Sequence, residues 1–191
     1  IYPSSVNRAI DDEVYARLNC IGAKETLIDM REEINELLLE LKGSALATNE
    51  TITPPQSSFF LTGNDEIFNK GIRTLLYAML IYGKNRGVSR YNINIISPNE
   101  IEFITSGLKY DEQEISLPQK HKSRALPSFA NTLGRTETLL RTFQGEISVK
   151  NITLDSGKEQ GKISLTLQPE ISANKAVTEK PIQRDGIIAQ A

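Results

Sequence analysis

The chain has 191 residues, 39% hydrophobic and 6% aromatic, with no tryptophan. Its 22 Lys and Arg against 24 Asp and Glu leave a net charge of −2, so the basic footprint of a nucleic-acid binder is missing and no nucleic-acid partner is expected. One cysteine and one histidine exclude an internal disulfide framework and a multi-cysteine zinc site, and no metal is expected. No run of about 18 apolar residues occurs, so no membrane span is expected. Residues 1–8 lack the charged-then-apolar build of a secretory leader, which makes a cytoplasmic location the expectation.

Residues 10–42 read as helical. Ala16, Cys20, Ala23, Leu27, Met30, Ile34, Leu37 and Leu41 alternate at spacings of four and three, a heptad seam. Gly22 weakens the first half, and Gly43 is a fitting stop. Such a stripe either packs on its own domain, the commoner use, or dimerises. In the second case Leu27, Met30, Ile34, Leu37 and Leu41 are the partner-binding residues of a homodimer. Cys20 lies on the seam and reads as a small packing residue. Glu32 and Glu36 share one helix face, where a solvated surface is a commoner use than acid–base work.

Residues 1–43 are therefore expected to form an N-terminal helical segment and residues 44–57 a linker, since Pro54 and Pro55 stop any continuous helix. The glycosylation patterns at Asn49 and Asn151 read as chance in the absence of a leader.

Residues 58–170 read as the compact domain. Phe59 to Leu61 is a short strand. Gly63-Asn64-Asp65 turns the chain, with Asn64 or Asp65 placed to cap the next helix. Ile67, Phe68, Ile72, Leu75, Leu76, Met79 and Leu80 recur at helical spacing, so a helix runs to about Tyr82, apolar nearly all round at its end. Tyr91 to Ile96 and Glu100 to Thr105 alternate as a hairpin about Ser97-Pro98-Asn99. Residues 107–127 read as loop, Ser128 to Thr142 as a helix stopped by Gly145, and Glu146 to Leu154 with Lys162 to Gln168 as a second hairpin. Helices separated from antiparallel hairpins predict an α+β two-layer sandwich behind the amphipathic segment. Residues 171–191 are polar and read as a flexible tail or an arm that orders on a partner.

This order of elements resembles the ATP-binding domain of sensor histidine kinases, the histidine-kinase-like (Bergerat) ATPase fold. The resemblance covers about Phe59 to Pro169. Gly63-Asn64-Asp65 followed by Leu75 to Tyr82 is similar to the kinase run of glycine-aspartate, spacer and asparagine-rich helix. Ile101 to Gly107 resembles the strand and glycine of the aspartate box. Leu133 to Phe143 with Gln144-Gly145-Glu146-Ile147 resembles the last helix and its glycine exit, and Gly161 to Pro169 the closing strand.

The departures bear directly on chemistry. The resemblance implies an asparagine holding magnesium on the first helix, where this chain has Ala78, with Thr74 at the earlier asparagine. A hard divalent cation takes oxygen ligands, and a methyl group offers none. It implies an aspartate accepting the adenine amino hydrogen, where Thr105 stands with a hydroxyl of lesser charge and reach. It implies a glycine-rich loop whose amides approach phosphate, where Ala130, Asn131 and Thr132 stand. Gly107 alone remains of the nucleotide-box glycines. No bound cofactor is expected, and the cavity between the two helices is either open or filled by side chains such as Tyr77 and Tyr82. His121, between Lys120 and Lys122, reads as a solvated loop residue rather than a phosphate acceptor.

Two basic clusters, Lys84, Arg86 and Arg90, and Lys120, Lys122 and Arg124, border the mouth of the resembling pocket. They suit an anion or an acidic partner, although separate solvated loops are the plainer reading. The expected function is a non-catalytic signalling or scaffold protein of two-component type, whose partner is a response regulator, a kinase or a second copy. A divergent ATP-binding kinase or phosphotransfer protein, with Asn69, Glu100 or Glu102 as altered ligands, and a structural subunit of a larger assembly are the alternatives.

Overall fold

The N-terminal segment is not one helix. Among the described residues a strand, β1 (Thr26–Asp29), opens this segment, and helix α1 (Met30–Lys42) follows it directly. Asp29 ends the strand and starts the helix, because its carboxylate accepts the Glu32 N–H at 3.2 Å and the Ser58 hydroxyl at 2.7 Å. The heptad spacing through Leu27 is thus coincidental. Leu27 lies on β1 and is exposed, whereas Met30, Ile34, Leu37 and Leu41 are buried in the chain's own core. The partner-binding role expected of those four is corrected, since their apolar face is already covered. Ala16, Cys20 and Ala23 lie outside the described residues.

This computed structural model describes residues 25–43, 51–88, 90–112 and 129–167. The remaining elements are β2 (Thr51–Thr53), β3 (Phe60–Gly63), α2 (Asp65–Lys84), β4 (Arg90–Ser97), β5 (Glu100–Ser106), α3 (Phe129–Leu139), a 3-10 turn (Arg141–Phe143), β6 (Glu146–Thr153) and β7 (Glu159–Thr166). Five strands form a mixed sheet in the order β2-β4-β5-β7-β6, with β2 parallel to β4 and the other pairs antiparallel. β1 and β3 form a separate antiparallel ribbon. The linker expected over 44–57 is therefore in part a strand: Thr51, Ile52 and Thr53 pair with Arg90, Tyr91 and Asn92.

The layers follow from the period-two pattern. Tyr91, Ile93 and Ile95 of β4, Ile101, Phe103 and Thr105 of β5, and Ile163 and Leu165 of β7 are buried beneath the helices. The alternate residues face away, and there Lys162 pairs with Glu102. A polar outer face needs no third layer. On the helical side α2 is buried along nearly all its length, from Ile67 to Gly83, as an element between layers must be. Asn64 caps it, accepting the Ile67 N–H at 3.0 Å. α3 packs on α2, and the Phe143 and Phe68 rings meet edge-on at 6.0 Å. α1 adds Met30, Ile34, Leu37, Leu38 and Leu41 to the same continuous core. The α+β sandwich is as the sequence predicts, and α1 packs into its core.

Candidate functional site

Three sheet positions lie in one transverse row: Thr105 on β5 pairs with Gly161 on β7, and Gly161 with Asn151 on β6. All three serve one residue, Tyr110. Thr105 Oγ1 and the Tyr110 hydroxyl share a hydrogen bond of 2.9 Å, and both residues are fully buried. Gly161 leaves room for the ring, since a Cβ there would sit 2.3 Å from Tyr110 Cε2. Asn151 grips the backbone from both sides: its Oδ1 accepts the Tyr110 N–H, and its Nδ2 donates to the Tyr110 carbonyl, each at 2.8 Å.

The helices close the ring from the other side. Phe129 of α3 stacks on Tyr110 with centroids 5.1 Å apart and planes 7° from parallel, and Tyr82 of α2 tilts against it at 5.1 Å. Tyr82 and Phe129 are themselves 4.6 Å apart. Stacked and tilted rings at these separations are mutually favourable. Arg86 covers the rim, its guanidinium carbon 3.4 Å above the Tyr82 ring and its Nη1 donating to the Tyr82 carbonyl at 3.2 Å. The Tyr82 hydroxyl accepts the Asp111 N–H at 3.1 Å. Burial pushes the Tyr110 phenol above its ordinary value of 10.0, outweighing the Thr105 hydrogen bond that lowers it. The group is a neutral phenol at any physiological pH.

The chain reaches this position through Gly107. Its φ of +78° lies in the left-handed region that L side chains rarely adopt, and its N–H donates to the Glu159 carbonyl at 2.9 Å. The turn sends Leu108 into the core and brings Tyr110 back to Thr105. Gly107 is thus the turn that delivers the ring.

The other expected positions fall around this cluster. Ala78 is buried one helical turn before Tyr82, and Ala130 is buried directly after Phe129. The Thr74 hydroxyl is spent within its own helix, donating to the Lys70 carbonyl at 2.9 Å. Thr132 is half-buried on α3, where its carbonyl accepts the Thr136 hydroxyl at 3.0 Å. Between α2, β5 and α3 the structure sets a methyl group, a hydroxyl turned onto its own helix and a hydroxyl held by Tyr110. These three side chains present no oxygen to a metal, and the Tyr110 ring stands against Thr105, so among the described residues they do not fit the magnesium triphosphate that the fold family implies.

The alternative ligands do not converge either. Glu100 and Glu102 alternate with the buried residues of β5, and Glu102 is paired with Lys162 on the outer face. Asn69 faces α1, its Nδ2 donating to Glu33 at 3.4 Å. Among the described residues no group of three or more His, Cys, Asp or Glu could hold a metal ion, and no helix is long and apolar enough to cross a membrane. Lys84 ends α2 and Arg90 opens β4. Lys120, His121, Lys122 and Arg124 lie outside the described residues, as does the tail. An open depression of about 330 Å³ between α3 and β6, lined by Gly134, Glu137, Arg141 and Gln144 among others, contains none of the expected site residues.

Tyr82, one of the two candidate fillers, lies in this ring cluster, and its companions Tyr110 and Phe129 are not singled out for it by the sequence pattern. Tyr77 is only partly buried, packed against the core, and takes no part in the ring cluster. Asn151, which the sequence marks only by a glycosylation pattern, is the residue that anchors Tyr110.

No family model and no curated protein matches the sequence. Solved structures do match. The chain is similar to a mycobacterial sensor histidine kinase, MprB, at 14% identity and a TM-score of 0.50 over 76% of this chain and 99% of that one. It is similar to the catalytic domain of the histidine kinase ThkA at 11% identity and a TM-score of 0.50 over 76% and 99%. It is also similar to full-length ShkA, solved in complex with AMPPNP, at 8% identity and a TM-score of 0.52 over 85% of this chain and 36% of that one. At these identities the likeness is one of fold. The chain has the histidine-kinase-like ATPase fold, helices on one face of a mixed sheet.

Proposed function

We propose that the protein is a non-catalytic signalling or scaffold protein of two-component type, which uses the kinase-like ATPase fold as a surface for recognising another protein. One observation carries this reading. Where the fold would hold a metal-bound triphosphate, Ala78 offers no oxygen and the Thr105 hydroxyl is occupied by Tyr110. Catalysis of phosphoryl transfer depends on positioned charge around the phosphates, and among the described residues neither Ala78 nor Thr105 supplies it. Recognition remains, with a response regulator, a kinase or a second copy as the partner. The basic residues Lys84, Arg86 and Arg90, with Lys120, Lys122 and Arg124, favour an acidic partner surface.

The test is a thermal melt with and without magnesium-ATP. A ligand present at a hundred times its Kd stabilises the folded state by about 2.7 kcal/mol. For a chain of this size that moves the melting temperature by roughly 5–10 °C. No shift at millimolar magnesium-ATP is the expected result. A shift of that size, or measured turnover, removes the reading in favour of a divergent kinase.

A further inference from the structure

We infer that the row Thr105, Gly161 and Asn151, closed by Tyr82 and Phe129, is a slot for a single phenolic ring, and that Tyr110 of this same chain is its resident ligand, shutting the pocket from within. The inference deepens the proposed function and rests on it only for the location of the site. Three walls fit a flat ring, and Thr105 meets a hydroxyl at its tip. Phe129 lies parallel to the ring and Tyr82 tilts against it. Gly161 removes the one Cβ that would strike the ring, 2.3 Å from Cε2. Thr105, itself fully buried, meets the hydroxyl at 2.9 Å.

The anchoring is equally directed. Asn151 satisfies both the N–H and the carbonyl of Tyr110, so the backbone is fixed at the residue whose ring must stay in the slot. Gly107 supplies the left-handed turn that returns the chain to β5. A merely hydrophobic core position needs neither a paired hydroxyl at the ring tip nor a two-bond clamp at the backbone. A buried hydroxyl left without its partner carries a desolvation penalty, so Thr105 favours a phenol over a plain benzene ring.

The experiment is replacement of the ring in trans. Tyr110→Gly should lower the melting temperature, and p-cresol, the side chain removed, should raise it again at millimolar concentration, as apolar cavities accept the ring that fits them. Toluene, lacking the hydroxyl, should need about tenfold more to give the same rescue. Wild-type protein should respond to neither. Rescue by p-cresol in the variant alone supports the slot. Equal effects of p-cresol on both proteins, or on neither, overturn it.

Should Tyr110→Gly not fold, Gly161→Ala supplies an independent readout. Tyr110 should resist nitration by tetranitromethane in the wild type and become nitrated, by peptide mass spectrometry, once a Cβ displaces its ring. A Tyr110 that nitrates readily in the wild type, or stays protected in Gly161→Ala, also overturns the inference. These readouts use no nucleotide. Failure here leaves the magnesium-ATP result standing, and a positive magnesium-ATP shift leaves the p-cresol result to stand or fall separately.

Discussion

Tyr110 and Thr105 form a buried pair of hydroxyls 2.9 Å apart. The phenol sits above its ordinary value of 10.0 because burial disfavours the phenolate. A raised acid group contributes stability that is complete below the unfolded value and is lost as pH rises, because the unfolded chain ionises first. Urea midpoints should therefore fall above about pH 10. In Tyr110→Phe that fall should be smaller than in the wild type. At neutral pH the same variant should lose roughly 1–3 kcal/mol, since Thr105 is left buried without its partner. An equal alkaline slope in both proteins would show the phenol to be accessible. The sequence brings the reader to Thr105 through the pattern of β5, but not to Tyr110. A lone aromatic in a polar stretch carries no periodic signal, and what buries it is a glycine on β7 more than fifty residues away.

Elements with a sustained period are the ones the sequence makes legible. α2 reads as a helix because its apolar residues recur through five turns and Asn64 caps it. β4 and β5 read as a hairpin because seven- and eight-residue strands alternate clearly. β1 and β2, of four and three residues, have no room for a period and exist through their pairing with β3 and β4. The seam through Leu27 then continues a false helix across a true strand. The local signal that could have corrected it is Asp29 with Glu32 three positions on, a helix-start pattern. Asp29→Ala should cost about 1 kcal/mol at neutral pH through loss of the cap. The Ser58 hydroxyl and the Glu32 N–H both hold this carboxyl below its ordinary value of 3.8. A lowered acid stabilises above the unfolded value and ceases to do so as pH falls through the folded one. The difference between wild type and variant should thus shrink as pH drops below 3.8; a difference constant across that range would remove Asp29 as a charged cap. Glu33 runs in the opposite sense, since burial raises it despite the Asn69 hydrogen bond, and its contribution declines as pH rises.

For the molecule as a whole, the question is whether α1 is an appendage or part of the core. Its apolar face lies in the same cluster as Phe68, Ile72 and Leu76 of α2, and polar contacts join the two helices at their rims, Arg73 to Glu40 at 2.7 Å and Asn69 to Glu33 at 3.4 Å. The exposed ion pair adds little, so burial does most of the joining. Leu37 is 1% exposed, and truncating a buried leucine to alanine costs about 2–5 kcal/mol, the removed contacts plus the cavity left behind. If α1 belongs to the sandwich, Leu37→Ala should lower the melting temperature of the whole protein in one transition, seen alike by circular dichroism and by tyrosine fluorescence from Tyr82 and Tyr110. Sedimentation should show the same oligomeric state as the wild type. A separate dimerising helix gives the reverse pattern: an unchanged melt for the sandwich and a weakened self-association. The two outcomes do not overlap, because a side chain filling its own core has no surface left to offer a second copy.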